Sequence, residues 1–243
     1  MMTIKKTSLF AMALLVSVAV FGQKSKRTSA NNYWQYKELD NAKEAIDPTI
    51  THEKTMNEAK TWFFRGQIYQ SIYETQEEKY KSLHDNPLQV AFESFIKCKE
   101  LDSKNFHKDM VLQYLNVEGQ QFVNVGITKY NAKDYTGALQ AFQNTLQACA
   151  IEGIERTDSL ALYYAGASAE QTGDLELAEK YFRQAIAINY KAEAAFVRLV
   201  RMYSDKEGSE DKAFALLKEG VPKERPTCRS GKVVGGGHCR RTN

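Results

Sequence analysis

The residues with the greatest capacity for chemistry are four histidines and four cysteines, and their spacing predicts no catalytic set. The histidines are scattered along the chain, with no HExxH pattern and no metal-ligating partner at a fixed helical step. We therefore interpret them as solvated surface residues and predict no catalytic residue, so the sequence favours a protein that is not an enzyme. The histidines are His52, His84, His107 and His238.

A basic, glycine-rich segment, residues 222–243, contains the remaining candidates for a metal site or a phosphate-binding loop. Cys228, His238 and Cys239 could ligate zinc, but three ligands with two adjacent do not match a structural zinc site. Residues 229–232 resemble part of a phosphate loop, but no strand, earlier glycine or following helix accompanies them. We predict no metal and no cofactor, and a disordered segment. Whether Cys228 and Cys239 form a disulfide stays open.

The first 22 residues have the pattern of a secretory signal peptide. Lys5 and Lys6 are followed by an apolar run over residues 9–21 and by Gly22 at the expected cleavage position. An uncleaved membrane anchor is the alternative, but the run is shorter than the roughly 20 residues that a span needs. We expect an exported protein, periplasmic or secreted, with no membrane span after cleavage and a short linker over residues 23–32.

Composition is typical of a soluble helical protein. The 243 residues are 43% hydrophobic and 26% charged, with 4 Pro. The net charge of +3 is concentrated at the two ends, so the body between them is mildly acidic, which argues against a nucleic-acid partner. Cys98 and Cys149 lie in separate helical segments, and we expect Cys98 on an apolar helix face.

The stretch from Leu160 to Ile188 predicts two short helices folded against each other. Small residues recur at helical spacing in its first half, a Thr-Gly-Asp turn follows at residues 172–174, and small and aromatic residues recur in its second half. Because so narrow a face cannot form a domain core alone, the pair requires similar neighbours. The recurring residues are Ala165, Gly166, Ala169, Ala178, Phe182 and Ala185.

The same spacing of small residues recurs along the chain. Gly126 precedes Ala138 by 12 residues, and Gly166 precedes Ala178 by 12 residues. Alanines of the second helices lie at 42, 91, 138, 178 and 213, with gaps of 49, 47, 40 and 35 that shrink toward about 34 residues. The pattern predicts an all-α solenoid of about five helix-turn-helix hairpins over residues 33–221.

This pattern resembles the tetratricopeptide repeat (TPR) family, and the resemblance implies a right-handed solenoid that serves as a non-catalytic interaction scaffold. The exported form is similar to exported TPR proteins of Bacteroidetes-type bacteria. The chain departs from the family where Ser103 and Tyr190 replace the closing proline. The matching residues are Trp62, Gly66, Tyr69, Ala91, Phe95, Cys98, Gly126, Tyr135, Ala138 and Phe142, with Gly166, Gly173, Asp174, Ala178, Phe182 and Ala185 in the fullest repeat.

In that family the first helices of successive repeats line a concave groove, so the resemblance nominates exposed groove positions. Aromatic rings there would supply contact area, and amides would bond a peptide backbone. Packing against the adjacent repeat is the alternative for Val123, Ile127 and Tyr163. The nominated residues are Lys60, Phe63, Gln67, Gln70, Gln120, Val123, Ile127, Tyr130, Asn131, Tyr163, Glu170, Gln171 and Arg201.

The function implied is a scaffold of the cell envelope that binds a protein or peptide in this groove. A regulatory subunit or sensor of an envelope enzyme or secretion complex is the alternative. The family subset that grips terminal carboxylates is not expected, because Phe63 and Gln67 take the places of its polar and charged residues.

Overall fold

The computed structural model describes residues 24–205 and 208–220. The predicted signal peptide and the basic segment 222–243, with Cys228, His238 and Cys239, lie outside the described residues. Within the described part of the chain, no helix is long and apolar enough to cross a membrane.

The described residues form α-helices joined by turns, with no strand among them, so the all-α prediction is confirmed. A 3-10 turn, Asp47–Ile50, follows the second helix. The helices are α1 (24–35), α2 (Leu39–Ile46), α3 (Ala59–Glu74), α4 (Glu78–Lys81), α5 (Pro87–Leu101), α6 (Lys108–Asn131), α7 (Tyr135–Cys149), α8 (Ser159–Thr172), α9 (Leu175–Ala187), α10 (Ala192–Ser204) and α11 (Glu210–Glu219).

The helices belong to two compact units that divide between Ala161 and Leu162, where one continuous repeat domain was expected. In the first unit, α3 packs against α5 and α6 packs against α7. In the second unit, α10 packs against both α9 and α11. Each unit is therefore built from helical hairpins of the predicted kind.

A glycine lies against a phenylalanine ring where the two helices of a hairpin cross. A Cβ atom added at any of these glycines would lie within 2.6 to 2.8 Å of ring carbons. The phenylalanines are completely buried, so the two helix backbones approach as closely as the ring allows. The pairs are Gly66 with Phe95, Gly126 with Phe142, and Gly166 with Phe182.

The alanines that define the repeat spacing are all buried, which confirms the predicted register. Ala42, Ala91, Ala138 and Ala178 are 0% exposed and Ala213 is 5% exposed. Each lies one turn before the position of the hairpin phenylalanine. The 3.6-residue period of the helix then places both residues on the face toward the partner helix.

The last hairpin, α10 with α11, departs from the pattern. Leu217 takes the place of the phenylalanine in the sequence but is 58% exposed, whereas Leu216 is 2% exposed. Because α10 contains no glycine, the close helix approach of the other hairpins is not available there. The second helix accordingly buries a different stripe, Ala213 and Leu216.

The N-terminal helices also differ from expectation. The linker expected over residues 23–32 is helical where it is described, and α1 buries Ala30 completely. Arg27 on α1 is paired with Glu58 and donates to Thr61 Oγ1 at 3.1 Å. Between α1 and α2 the helical backbone is interrupted near Lys37, whose φ of 62° is left-handed.

Cys98 and Cys149 are free and buried. The apolar position expected for Cys98 is confirmed, since its side chain is 0% exposed. Burial raises the pKa of its thiol to about 12, which makes it inert as a nucleophile.

We expect Gly126→Ala to destabilise the protein by about 1–3 kcal/mol, because the new methyl group collides with the Phe142 ring. Urea unfolding followed by far-UV circular dichroism measures the free energy of unfolding. In a Phe142→Leu background, the same change should cost clearly less, since the colliding ring is gone. Equal costs in the two backgrounds would contradict the packing described for this hairpin.

Candidate partner-binding surfaces

The exposed face of α6 is uncharged over about five helical turns. Between Met110 and Thr128 the one charged residue is Glu118, and its side chain is 0% exposed. Exposed residues recur every three or four positions, as one stripe of a helix requires. We call this face the amide stripe; it consists of Met110, Gln113, Val117, Gln120, Asn124 and Thr128.

Several residues nominated from sequence are accessible in the first unit. Gln120 lies within the amide stripe, and Asn131 is exposed at the end of the same helix. Tyr130 is half-buried, with its ring 5.4 Å from the ring of Tyr135. Lys60 is exposed on α3, and its ammonium lies 5.2 Å from the ring centroid of Phe64.

Other nominated residues in this unit are buried, so the expectation that they are exposed is wrong. Phe63 is 4% exposed, Gln67 is 9% exposed and Gln70 is 3% exposed. Val123 and Ile127 are half-buried. The set of residues nominated from sequence therefore mixes exposed positions with packing positions.

The cause is the start of α6, where the N-cap residue His107 and Tyr114 contact side chains of α3 and α5. The Phe63 ring stacks on His107 with centroids 4.4 Å apart, and the Tyr114 ring stacks on Phe95 at 4.5 Å. Gln67 Nε2 also donates to the Tyr114 hydroxyl at 3.3 Å. The face of α3 that the family would present to a partner is thus covered by this chain itself.

These contacts also correct the view of the histidines as solvated residues. His107 is half-buried through its stacking on Phe63. His84 is half-buried, with its ring 5.4 Å from the Tyr69 ring, and His52 is also only partly exposed. Within the described residues, no group of three or more His, Cys, Asp or Glu side chains could hold a metal ion.

Amides at the seam between α3 and α6 bond to each other rather than to solvent. Gln70 Nε2 donates to Glu74 Oε1 at 2.6 Å and to Gln121 Oε1 at 3.0 Å. Gln121 Nε2 donates in turn to Glu74 Oε1 at 3.2 Å. This closed triangle joins the two helices, which explains why Gln70 is not free to contact a partner.

Glu118 lies buried on α6, and neither of its carboxyl oxygens has a hydrogen-bond partner among the described residues. Burial raises its pKa well above the ordinary value, and the nearby charge of Glu74 adds to the shift. The site therefore favours the neutral, protonated acid.

We expect Glu118→Gln to stabilise the protein at pH 7.5 by about 1–3 kcal/mol, because it replaces an ionisable buried group with a neutral one of the same shape. The folded-state pKa of Glu118 lies above the ordinary 4.5 of an unfolded chain. Its stabilisation is therefore complete below about pH 4.5 and is lost as the pH rises toward the folded-state pKa.

Urea unfolding from pH 4 to 8 measures this effect. The difference between Glu118→Gln and wild type should grow with pH, and Glu44→Gln, at an exposed glutamate of α2, should show no such trend. A difference that stays constant over this range would show that Glu118 does not titrate differently in the folded protein.

In the second unit, a groove of about 470 Å³ separates the end of α8 from α10. Three nominated residues line it together: Glu170, Gln171 and Arg201. Glu170 is paired with Arg198, and Arg201 Nε lies 3.4 Å from Asp205 Oδ2. This groove is therefore lined by charged side chains of both signs and by apolar side chains. The apolar ones are Leu175, Val197 and Met202.

Tyr163 is 7% exposed, so its nomination as an exposed groove residue is wrong. It packs within its own hairpin and not, as the alternative supposed, against the adjacent repeat. Its ring lies 5.8 Å from the Phe182 ring and 5.4 Å from the Tyr164 ring. The local sequence around Tyr163 cannot reveal this contact, because Phe182 belongs to the next helix.

Sequence reasoning missed most of the amide stripe. Gln113, Val117 and Asn124 are exposed on the same helix as the nominated Gln120 but were not nominated. One signal in the sequence marks them, namely the run from Met110 to Thr128 with a single charged residue. Val197, which is 62% exposed beside the second groove, was missed as well.

No family model matches the chain, and no curated protein matches it. Solved structures that are similar include a crystal structure of MamA protein, with 16% identity over 82% of this chain and 89% of that chain, at a TM-score of 0.32. PilF of Pseudomonas aeruginosa has 16% identity over 84% of this chain and 78% of that chain, at a TM-score of 0.30.

A third similar structure is PilW, a type IV pilus biogenesis factor, with 17% identity over 81% of this chain and 76% of that chain, at a TM-score of 0.31. Scores of this size carry no argument about function. The class of protein is therefore taken from the described helices themselves, which define an all-α protein of helical hairpins.

Proposed function

We propose that this chain is a TPR-like scaffold, non-catalytic and exported, which binds a segment of a protein partner along the amide stripe of α6. The observation that carries the proposal is the absence of exposed charge from Met110 to Thr128. An exposed helix face in a soluble protein normally carries charged residues. Depletion of charge is instead typical of the centre of a protein interface.

The chemistry of the stripe suits an extended polypeptide. The side-chain amides of Gln113, Gln120 and Asn124 can each donate to a peptide carbonyl and accept from a peptide N–H. Val117, which is 38% exposed, and Met110, which is 47% exposed, supply apolar contact between the amides. A partner segment with few charges would lose little hydration on binding there.

The groove of the second unit would select a different segment. Glu170, Arg201 and Asp205 place both signs of charge around Val197 and Met202. Such a cleft favours a segment with an apolar side chain flanked by polar or charged residues. The pattern of a signal peptide over residues 1–22 supports placing this activity in the cell envelope.

Site-specific photocrosslinking in the native cells tests the proposal. A photoreactive amino acid at Gln120 or at Asn124 should form the same adduct, because both positions lie on the amide stripe. The same amino acid at Gln147, exposed on α7, should not form it. Adducts that arise equally from Gln147 would remove the stripe as the binding surface.

We expect Val117→Asp to weaken the affinity for the crosslinked partner by about tenfold, since it places a charge at the centre of the uncharged stripe. Isothermal titration calorimetry with purified components measures the dissociation constant. Gln147→Asp introduces the same charge on α7 and should leave the affinity unchanged. Equal affinity for both variants would contradict binding along α6.

A further inference from the structure

Three tyrosine rings surround one lysine ammonium in the second unit. Lys191 Nζ lies 4.7 Å from the ring centroid of Tyr163, 4.9 Å from that of Tyr164 and 5.8 Å from that of Tyr190. All three distances are within the roughly 6 Å at which a cation is attracted by the face of an aromatic ring. We call Tyr163, Tyr164 and Tyr190 the tyrosine cage.

The three rings are steeply inclined to one another and do not stack. The planes of Tyr163 and Tyr164 are inclined at 86°, with centroids 5.4 Å apart. The planes of Tyr163 and Tyr190 are inclined at 74°, with centroids 6.4 Å apart. Rings set at steep angles around a common point direct their negative faces at one cation, which is the geometry that recognises ammonium groups.

The tyrosine rings of the cage are buried or half-buried, whereas the lysine between them is exposed. Tyr163 is 7% exposed and packs on Phe182, which is completely buried. Tyr164 and Tyr190 are half-buried, and Lys191 is exposed. The four-carbon stem of a lysine can therefore leave the cage without disturbing the packing behind the rings.

The backbone places Lys191 over the cage at a conformational cost. Its φ of 46° and ψ of 37° are left-handed, and Asn189 in the same turn has a φ of 56°. L-residues other than Asn and Asp rarely adopt this conformation. Among the described residues no carboxylate forms an ion pair with Lys191, and its ammonium lies against the three tyrosine rings.

We propose that the tyrosine cage is a binding site for an ammonium or methylated ammonium group, and that Lys191 is an internal occupant which such a ligand displaces. The cage belongs to the second unit and the amide stripe to the first. The inference does not depend on the proposed function. The ligand group can come from a free quaternary ammonium compound or from a lysine side chain of a protein. Both share the cation that the rings recognise.

Titration with tetramethylammonium chloride, at constant ionic strength against sodium chloride, tests the proposal by NMR. We expect Lys191→Gly to bind tetramethylammonium about fivefold more tightly than wild type, because it empties the cage. Glycine also accepts the left-handed backbone without strain. Asn189→Gly changes the same turn and keeps Lys191, so it should retain wild-type affinity.

A second change removes a wall of the cage. Adding Tyr164→Leu to Lys191→Gly should abolish the gain in affinity, and adding Tyr190→Leu should do the same, with far-UV circular dichroism confirming that each variant is folded. The proposal is overturned if Lys191→Gly binds no more tightly than wild type. It is equally overturned if the gain survives the loss of both outer rings.

Two short peptides distinguish the sources of the ligand. One carries trimethyllysine and the other carries norleucine at the same position. If the cage serves a protein side chain, the trimethyllysine peptide should bind Lys191→Gly more tightly than tetramethylammonium does. If the cage serves a free compound, the peptide should bind no more tightly than tetramethylammonium. Binding of the norleucine peptide as tight as that of the trimethyllysine peptide would overturn recognition of the cation.

Discussion

The contact between a glycine and a phenylalanine ring is the constraint on which the hairpins depend. A helix pair held by Gly126 and Phe142 can approach only as closely as the ring permits, and no larger residue fits at position 126. That approach determines which residues of each helix face inward, as the burial of Ala138 shows. Where the glycine is missing, in α10, the partner helix buries a different stripe and leaves Leu217 exposed. The exposed surfaces follow from this packing.

The start of α6 determines which side chains of α3 are exposed. Its N-cap residue His107 and its Tyr114 pack on Phe63, and Tyr114 accepts a hydrogen bond from Gln67, so these two side chains of α3 are not available to a partner. Between Met110 and Thr128 the outer side of α6 is uncharged, because the one charged residue of that stretch, Glu118, is buried. A buried carboxyl without a partner costs stability. This loss of stability occurs in α6, the helix that carries the proposed binding surface.

The two units offer different chemistry. The amide stripe of the first unit can bond a polypeptide backbone but has no charge with which to select a charged segment. The groove between α8 and α10 has charge of both signs around Val197 and Met202. The tyrosine cage adds a site for a cation, at present filled by Lys191. Recognition by backbone bonding gives little sequence selectivity, whereas charge and a cation site give more. In the proposed function, the second unit would therefore supply most of the selectivity among partners.

The sequence by itself determined the helical hairpins, because the spacing of Gly166, Ala178 and Phe182 is local information that helix geometry converts directly into one packed face. It also nominated Glu170, Gln171 and Arg201, which the structure brings together at one groove. The tertiary structure decided the burial of Phe63 and Tyr163, the helical state of residues 24–32, and the assembly of Tyr163, Tyr164 and Tyr190 around Lys191. Each of these depends on contacts between residues far apart in the chain, which no local period records.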